Sequence, residues 1–297
     1  MDHHDHDEEQ TRDRKRLLAA LGLTALLMGV EAVGGWLSGS LALLSDAGHM
    51  LTDSAALLLA ALASVFSGRP ADLRRTWGFV RLEVLSALFN GLLLIGIAGL
   101  IAYEGVHRLR DPQPLKAGLM LAVAVAGLAV NLAGMALLAR SRSMNVRGAF
   151  LHVVGDAISS VGVIAAGLIV WITGWTLADP IVSLLIAGLI AAGAASLIRD
   201  AVHVLLEAVP SHIDLKAVLS AMKGLDGVCG VHDLHVWTIG HDRHALSAHL
   251  VCPDRGTDRD RILGAAQEVL RERFGITHTT LQVESAEYGK GAPGDGR

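Results

Sequence analysis

Six apolar runs, at 17–38, 41–66, 80–104, 116–139, 149–172 and 177–199, constrain this 297-residue chain more than any other feature. Each is near or above the ~20 residues that carry an α-helix across a bilayer. Inside hydrocarbon, every backbone N–H and C=O must find its partner within the protein, so runs of this kind fold as spanning helices. The chain is therefore expected to be an α-helical membrane protein with six transmembrane helices. A hydrophobic fraction of 52% and a mean hydropathy of +0.47 suit that class and exclude an ordinary soluble globular domain.

Charge sets the expected orientation. Arg12, Arg14, Lys15 and Arg16 precede the first run, Arg69, Arg74, Arg75 and Arg81 flank the loop after the second, and Arg140, Arg142 and Arg147 lie in the loop after the fourth. The opposite side carries only Arg108, Arg110 and Lys116. Eleven cations against three put both termini in the cytoplasm by the positive-inside rule. The first sixteen residues are charged and His-rich, so nothing there reads as a cleavable signal, and the first helix is expected to stay. With the basic residues explained by topology and a net charge of −4, nucleic acid is not expected as a partner.

From Pro210 the pattern changes to that of a soluble domain. The expected layout is a His/Asp-rich cytoplasmic tail (1–16), a transmembrane domain (17–209), a cytoplasmic α+β domain (210–288) and a disordered Gly-rich tail (289–297). Span 6 should overrun its apolar stretch through the amphipathic tail Asp200 to Glu207. Beyond it the periodicity predicts helix (213–223), strand (228–238), strand (244–252), helix (257–273) and strand (277–284), with Gly240-His241-Asp242-Arg243 joining the two strands. Cys229 and Cys252 form no C-x-x-C pair and read as two ordinary buried thiols.

The chemistry sits in two copies of H-x-x-x-D. His49-Met50-Leu51-Thr52-Asp53 lies near the start of span 2, and His152-Val153-Val154-Gly155-Asp156 near the start of span 5. This spacing places His and Asp on one helix face. Ionisable groups at membrane depth are costly unless they pair, line a cavity or bind an ion. Two neutral imidazoles and two carboxylates leave a divalent cation with no net charge, and nitrogen and oxygen donors without thiolate suit Zn2+ or Co2+ rather than Mg2+ or Ca2+. The repeated motif divides the spans into two halves of three, which run in opposite senses as in transporters with a midplane site. Asp46, on the same face as His49 and Asp53, is a candidate to orient the His49 ring or relay protons. Glu31, Asn90, Glu104, Asn131 and Asp179 are expected to be interhelical hydrogen-bond partners or interface residues.

Ser45-Asp46-Ala47-Gly48-His49-Met50 with Asp53, then Gly78-Phe79-Val80-Arg81-Leu82-Glu83 entering span 3, then His152 with Asp156, follow one another in an order and spacing that resembles the cation diffusion facilitators. These are proton-coupled zinc and heavy-metal efflux transporters, and the resemblance covers residues 17 to about 286. It implies a homodimer of six-helix protomers in the lipid bilayer, a transported Zn2+ held by His49, Asp53, His152 and Asp156, and no organic cofactor. It also implies a C-terminal ferredoxin-like, metallochaperone-like domain with zinc as regulatory ligand, its matching positions being His232, His249, His278 and Glu284. That domain is rich in histidine, with His235, His241 and His244 beside those three. In a regular strand, His232 and His235 would face opposite sides because their spacing is odd. A further site that some relatives carry in the loop after span 2 is expected to be absent or very weak, since only Asp72 is available there. The run Asp2-His3-His4-Asp5-His6-Asp7 carries metal-binding side chains, and a solvated tail without function accounts for it equally well. Short loops, and no His-rich insertion between spans 4 and 5, resemble a prokaryotic member of the plasma (inner) membrane.

The expected function is efflux of Zn2+, with Co2+ or Cd2+ as further cargo, by proton antiport through alternating access. Metal binding needs neutral His and ionised Asp, so zinc and protons compete for one site. An intramembrane metalloenzyme would show H-E-x-x-H and an open coordination position, and the chain has neither feature. A metal receptor that signals through its cytoplasmic domain without transport is the remaining alternative.

Overall fold

The computed structural model describes residues 3–67, 72–139, 144–240, 243–253 and 258–289. Six long helices come first: α1 (His3–Ser38), α2 (Leu41–Ser67), α3 (Arg81–Arg110), α4 (Ala117–Leu138), α5 (Met144–Thr173) and α6 (Ala178–Leu205). Among the described residues, five of these contain stretches long and apolar enough to cross a membrane, in α1, α3, α4, α5 and α6. Helix α1 reaches back to His3 through the charged segment; the side chains of the N-terminal His/Asp run lie outside the described residues. Helix α6 overruns its apolar stretch as its amphipathic tail requires. It stops before Glu207, whose left-handed backbone (φ 58°) turns the chain toward Pro210.

The chain divides into two compact units. One holds residues 1–58 and 89–196, the other residues 59–88 and 197–297. In the first, Leu43, Leu94, Ala98, Met120, Val163, Ala166, Ile186 and Ile190 form a continuous buried cluster. Small residues let these helices approach closely, as in membrane bundles generally. A methyl group placed on Gly34 would strike Val123, on Gly105 it would strike Leu184, and on Gly167 it would strike Leu121. Large apolar side chains such as Trp36, Leu100, Ile158 and Leu189 remain outside the cluster and exposed, which a lipid environment accommodates.

The second unit contains α7 (Leu215–Lys223), β1 (Gly230–Gly240), β2 (Arg243–Cys252), α8 (Arg259–Phe274) and β3 (His278–Ser285), each within a few residues of the expected positions, and a short α9 (Ala286–Gly289) that the periodicity did not predict. The connection at His241-Asp242 lies outside the described residues. Asp214 and Asp258 cap α7 and α8 by accepting the backbone N–H of Lys216 and Arg261. The strands form one sheet in the order β1-β2-β3, antiparallel between β1 and β2 and parallel between β2 and β3. Leu246, Ala248, Leu250 and Cys252 on alternate positions of β2 are fully buried with Val218, Met222, Ile262, Ala266 and Leu270 from the two helices. That pattern covers one sheet face and leaves the other open for polar chemistry. Cys229 departs from expectation, being exposed just ahead of β1, whereas Cys252 is buried.

Candidate metal centre

Both H-x-x-x-D motifs fall well inside continuous helix, so each His and Asp pair shares a face of α2 or α5. The structure brings all four side chains together. His49 Nε2 and His152 Nε2 each lie 3.5 Å from Asp53 Oδ2, and His152 Nε2 lies 3.7 Å from Asp156 Oδ2. The two imidazole rings meet edge to face with centroids 6.4 Å apart. These separations decide what the cluster can do. They are too long for hydrogen bonds, yet close to the edge of a tetrahedron around a zinc-sized ion with bonds of about 2.0–2.1 Å, which is roughly 3.4 Å. One buried oxygen of the cluster, Asp156 Oδ2, has no hydrogen-bond partner among the described residues. Buried polar atoms left in that condition mark a place where a ligand or ion completes the bonding.

Access across the cluster is graded. Asp156 is 2% exposed, while the side chains of Asp53, His49 and His152 are 22%, 31% and 37% exposed. One carboxylate is thus buried, and the other three donors are partly exposed. Asp46 does not contact the His49 ring through a hydrogen bond; its Oδ1 accepts from Ser159 Oγ at 2.7 Å, which ties α2 to α5 one turn from the motifs. Asn131 donates to Ser160 Oγ and so joins α4 to α5, as expected of an interhelical partner. Glu104, by contrast, pairs within its own helix with Arg108.

A second cluster lies on the open face of the cytoplasmic sheet. His232 and His249 are direct cross-strand partners, so their rings stand side by side, with centroids 4.9 Å apart. Glu284 on β3 pairs with Val251, two residues beyond His249, which keeps it on the same face. Its Oε2 is 3.1 Å from His232 Nε2 and its Oε1 is 2.8 Å from His249 Nδ1, the latter outside hydrogen-bonding geometry. One ligand atom from each residue lies within 4.8 Å of the others, a spacing that suits a metal ion. Three donors leave the fourth position of a zinc site open.

His278 does not join this cluster. It pairs with Ala245 on the correct face, but six residues along β3 from Glu284, or about 20 Å at the rise of a strand. Its ring instead packs edge-on against Trp77, at 4.6 Å between centroids. His235 corrects the odd-spacing argument. A bulge between His232 and His235 inserts one extra residue, so His232 pairs with His249 and His235 with Ser247, and both point to the same face. Asp233 forms the bulge with a left-handed backbone (φ 52°) and stands 3.0 Å from His235 and 3.7 Å from His249. The hydrogen bond with His235, followed by the charges of the neighbouring histidines, holds the Asp233 carboxyl below its usual range.

Residues 17–206 match the cation efflux transmembrane domain, and residues 210–286 match the cation efflux protein cytoplasmic domain. The chain belongs to the cation efflux, or cation diffusion facilitator, family. It is 45% identical over 280 residues to the zinc transporter ZitB of Shigella flexneri, covering 93% of this chain and 88% of that protein. It is 36% identical to a cadmium, cobalt and zinc/H(+)-K(+) antiporter of Bacillus subtilis strain 168, covering 95% and 93%. Among solved structures, the metal-bound C-terminal domain of a CzcD transporter is 30% identical, covering 24% of this chain and 99% of that one, with a TM-score of 0.23.

This cation diffusion facilitator is a transporter and not an enzyme. Two of its site-forming residues escaped sequence reasoning. Ser159 has no signature, because a serine in a membrane helix is commonplace. Asp233 did carry a signal, since an aspartate between two histidines in a strand is a poor β-former and marks a place for a bulge.

Proposed function

We propose that this chain exports Zn2+ from the cytoplasm, with Cd2+ or Co2+ as further cargo, in exchange for protons. His49, Asp53, His152 and Asp156 are the proposed ligands of the transported ion. The observation that carries this reading is the tetrahedral-edge spacing of 3.5–3.7 Å around Asp53 and His152, with no hydrogen bond satisfying the buried Asp156 oxygen. Proton exchange follows from the donor set. The ion can bind only when the imidazoles are neutral and the carboxylates ionised, so occupancy by metal and by protons is mutually exclusive. An ion neutralised by two carboxylates is held at membrane depth without net charge. The names of the relatives, a zinc transporter and a cadmium, cobalt and zinc antiporter, support the same cargo and coupling.

The working architecture is a homodimer in the plasma (inner) membrane. Each protomer has six spans (17–209) in two inverted halves, both termini in the cytoplasm, and a ferredoxin-like cytoplasmic domain (210–288). His232, His249 and Glu284 are the proposed regulatory zinc ligands, whose occupancy biases the dimer toward its transporting state. The test is zinc uptake into proteoliposomes under an imposed pH gradient, wild type beside His152→Ala. Gradient-dependent uptake that disappears in the variant is the expected result. Metal binding without flux under any gradient would leave a receptor in place of a transporter.

A further inference from the structure

Asp179 is 2% exposed near the start of α6, and every hydrogen bond the structure gives its carboxylate goes to the start of α2. Its Oδ1 accepts from Ser40 Oγ at 2.6 Å and from the Ala42 N–H at 3.2 Å, and its Oδ2 accepts from the Leu41 N–H at 2.8 Å. Ser40 Oγ in turn accepts from the Leu43 N–H at 3.2 Å. Leu41, Ala42 and Leu43 open α2, and the N–H groups of a first turn have no partner within their own helix. Here all three are satisfied, two of them by a residue more than 130 positions away in sequence. The negative charge also sits at the positive end of the helix dipole.

Capping alone does not require this arrangement. A serine or aspartate immediately before the helix does the same from its own chain, and Ser40 already occupies that place. What the Asp179 carboxylate adds is a tie between α6 and α2. Neighbouring contacts strengthen that end of the bundle: Arg108 on α3 donates to the Gly39 carbonyl, and the Lys116 N–H donates to the Ser38 carbonyl at 2.9 Å. The consequence is geometric. His49 lies eight residues into α2 from Leu41, about 12 Å along the axis. A slide or axial rotation of the first turn would therefore carry straight through to His49 and Asp53, and Asp53 meets His152 only in one rotation of α2.

We propose that Asp179 is a positioning residue for transport: it pins the first turn of α2 to α6, so that the ligand-bearing helix pivots about this end without sliding or turning on its axis. The proposal rests on the transport reading above. The test uses the full-length chain in proteoliposomes and compares wild type with Asp179→Ala, Asp179→Asn and Asp179→Ala combined with Ser40→Asp. The double variant returns a carboxylate cap to α2 from its own chain but not the tie to α6. Initial zinc flux and its half-saturation, zinc binding in detergent, and thermal unfolding are measured together.

The double variant is expected to unfold at the wild-type temperature and to bind zinc within about threefold of wild type, yet to transport at least about tenfold more slowly. Flux within about twofold of wild type in the double variant would reduce Asp179 to a cap and overturn the proposal. Should both alanine variants fail to fold, Asp179→Asn decides. Its amide keeps one acceptor oxygen and loses the other, so the rate should fall while half-saturation holds; an unchanged rate overturns the tie. A wild type that moves no zinc sinks the transport reading instead. In that event hydrogen exchange at Leu41–Leu44 tests the tie alone, with faster exchange in Asp179→Asn expected and unchanged exchange overturning it.

Discussion

The two clusters use similar donors in opposite ways. On α2 and α5, His49 with Asp53, Asp53 with His152, and His152 with Asp156 stand 3.5–3.7 Å apart, and the four residues make no hydrogen bond to one another. On the cytoplasmic sheet, His232, His249 and Glu284 sit at 2.8–3.1 Å on strands locked in register, with Glu284 reaching both imidazoles. On the proposed assignment, an ion that must leave in every cycle gains from ligands carried on two separate helices, whose approach changes with the packing of α2 against α5. A site that reports concentration gains from ligands held in place before the ion arrives. The contrast teaches that donor identity does not separate cargo from regulator. On the proposed assignment of the two centres, what separates them is the kind of element that carries the donors: two helices joined through side chains in one, backbone-paired strands in the other.

The largest effect is expected where the two helices meet at one ligand atom. Asp53 Oδ2 is the common neighbour of both imidazoles, so Asp53→Ala removes a ligand and leaves two histidines without their shared carboxylate. Zinc flux should fall at least about a hundredfold, with the chain still folded. Normal flux in that variant would break the comparison at its stronger end. Next comes the cytoplasmic centre, measured by zinc titration of the full chain carrying Asp53→Ala so that the membrane site is already weakened. Glu284→Gln should lower the remaining affinity by about 10–100-fold, because the buried carboxylate is the one group that touches both histidines. An unchanged titration would mean that pre-pairing on the sheet is unrelated to metal.

Much of this was legible in the sequence, for a physical reason. A spacing of four in a helix fixes a common face whatever the tertiary context, so His49 with Asp53 and His152 with Asp156 can be read directly from the chain. Hydrocarbon imposes its own length on a helix, which made the long apolar helices equally plain. Strand parity is more fragile. One inserted residue at Asp233 reversed the expected sidedness of His235. The distance of His278 from Glu284 was legible, since six residues of one strand separate them. Contacts between helices distant in sequence, such as Asp179 with Leu41, depend on packing that no local pattern encodes.

Acid should separate metal from fold on the cytoplasmic side. Zinc needs neutral imidazoles, so protons compete with it and occupancy should fall as the medium is made acidic. The sheet should survive this, because the carboxylate on the bulge titrates elsewhere. Asp233 is held below the usual carboxylate range, chiefly by its hydrogen bond with His235. A depressed folded value means that its contribution is fully present above the ordinary aspartate range and is lost only as pH falls through the still lower folded one. On acidification from neutral pH, zinc should therefore leave while the far-ultraviolet circular dichroism stays constant, down to the acid range in which Asp233 titrates. Simultaneous loss of both would tie the ion to the fold itself and blur the distinction between a reporter and a structural centre.

The smallest expected effect concerns His278, and it sharpens the comparison most. Family resemblance places it among the cytoplasmic ligands, whereas strand register puts it about 20 Å from Glu284 with its ring against Trp77. His278→Ala should therefore leave cytoplasmic zinc affinity within about twofold of the parent, since no donor of the cluster is touched. The same substitution should alter the fluorescence of Trp77, seen as a difference that vanishes when Trp77→Phe is combined with it. A tenfold loss of affinity would require His278 to reach a metal bound by the cluster, and would show that the cytoplasmic ligands are assembled by movement. Unchanged affinity with altered Trp77 emission would confine the ion to three rigidly placed donors and give the histidine at the start of β3 a packing role.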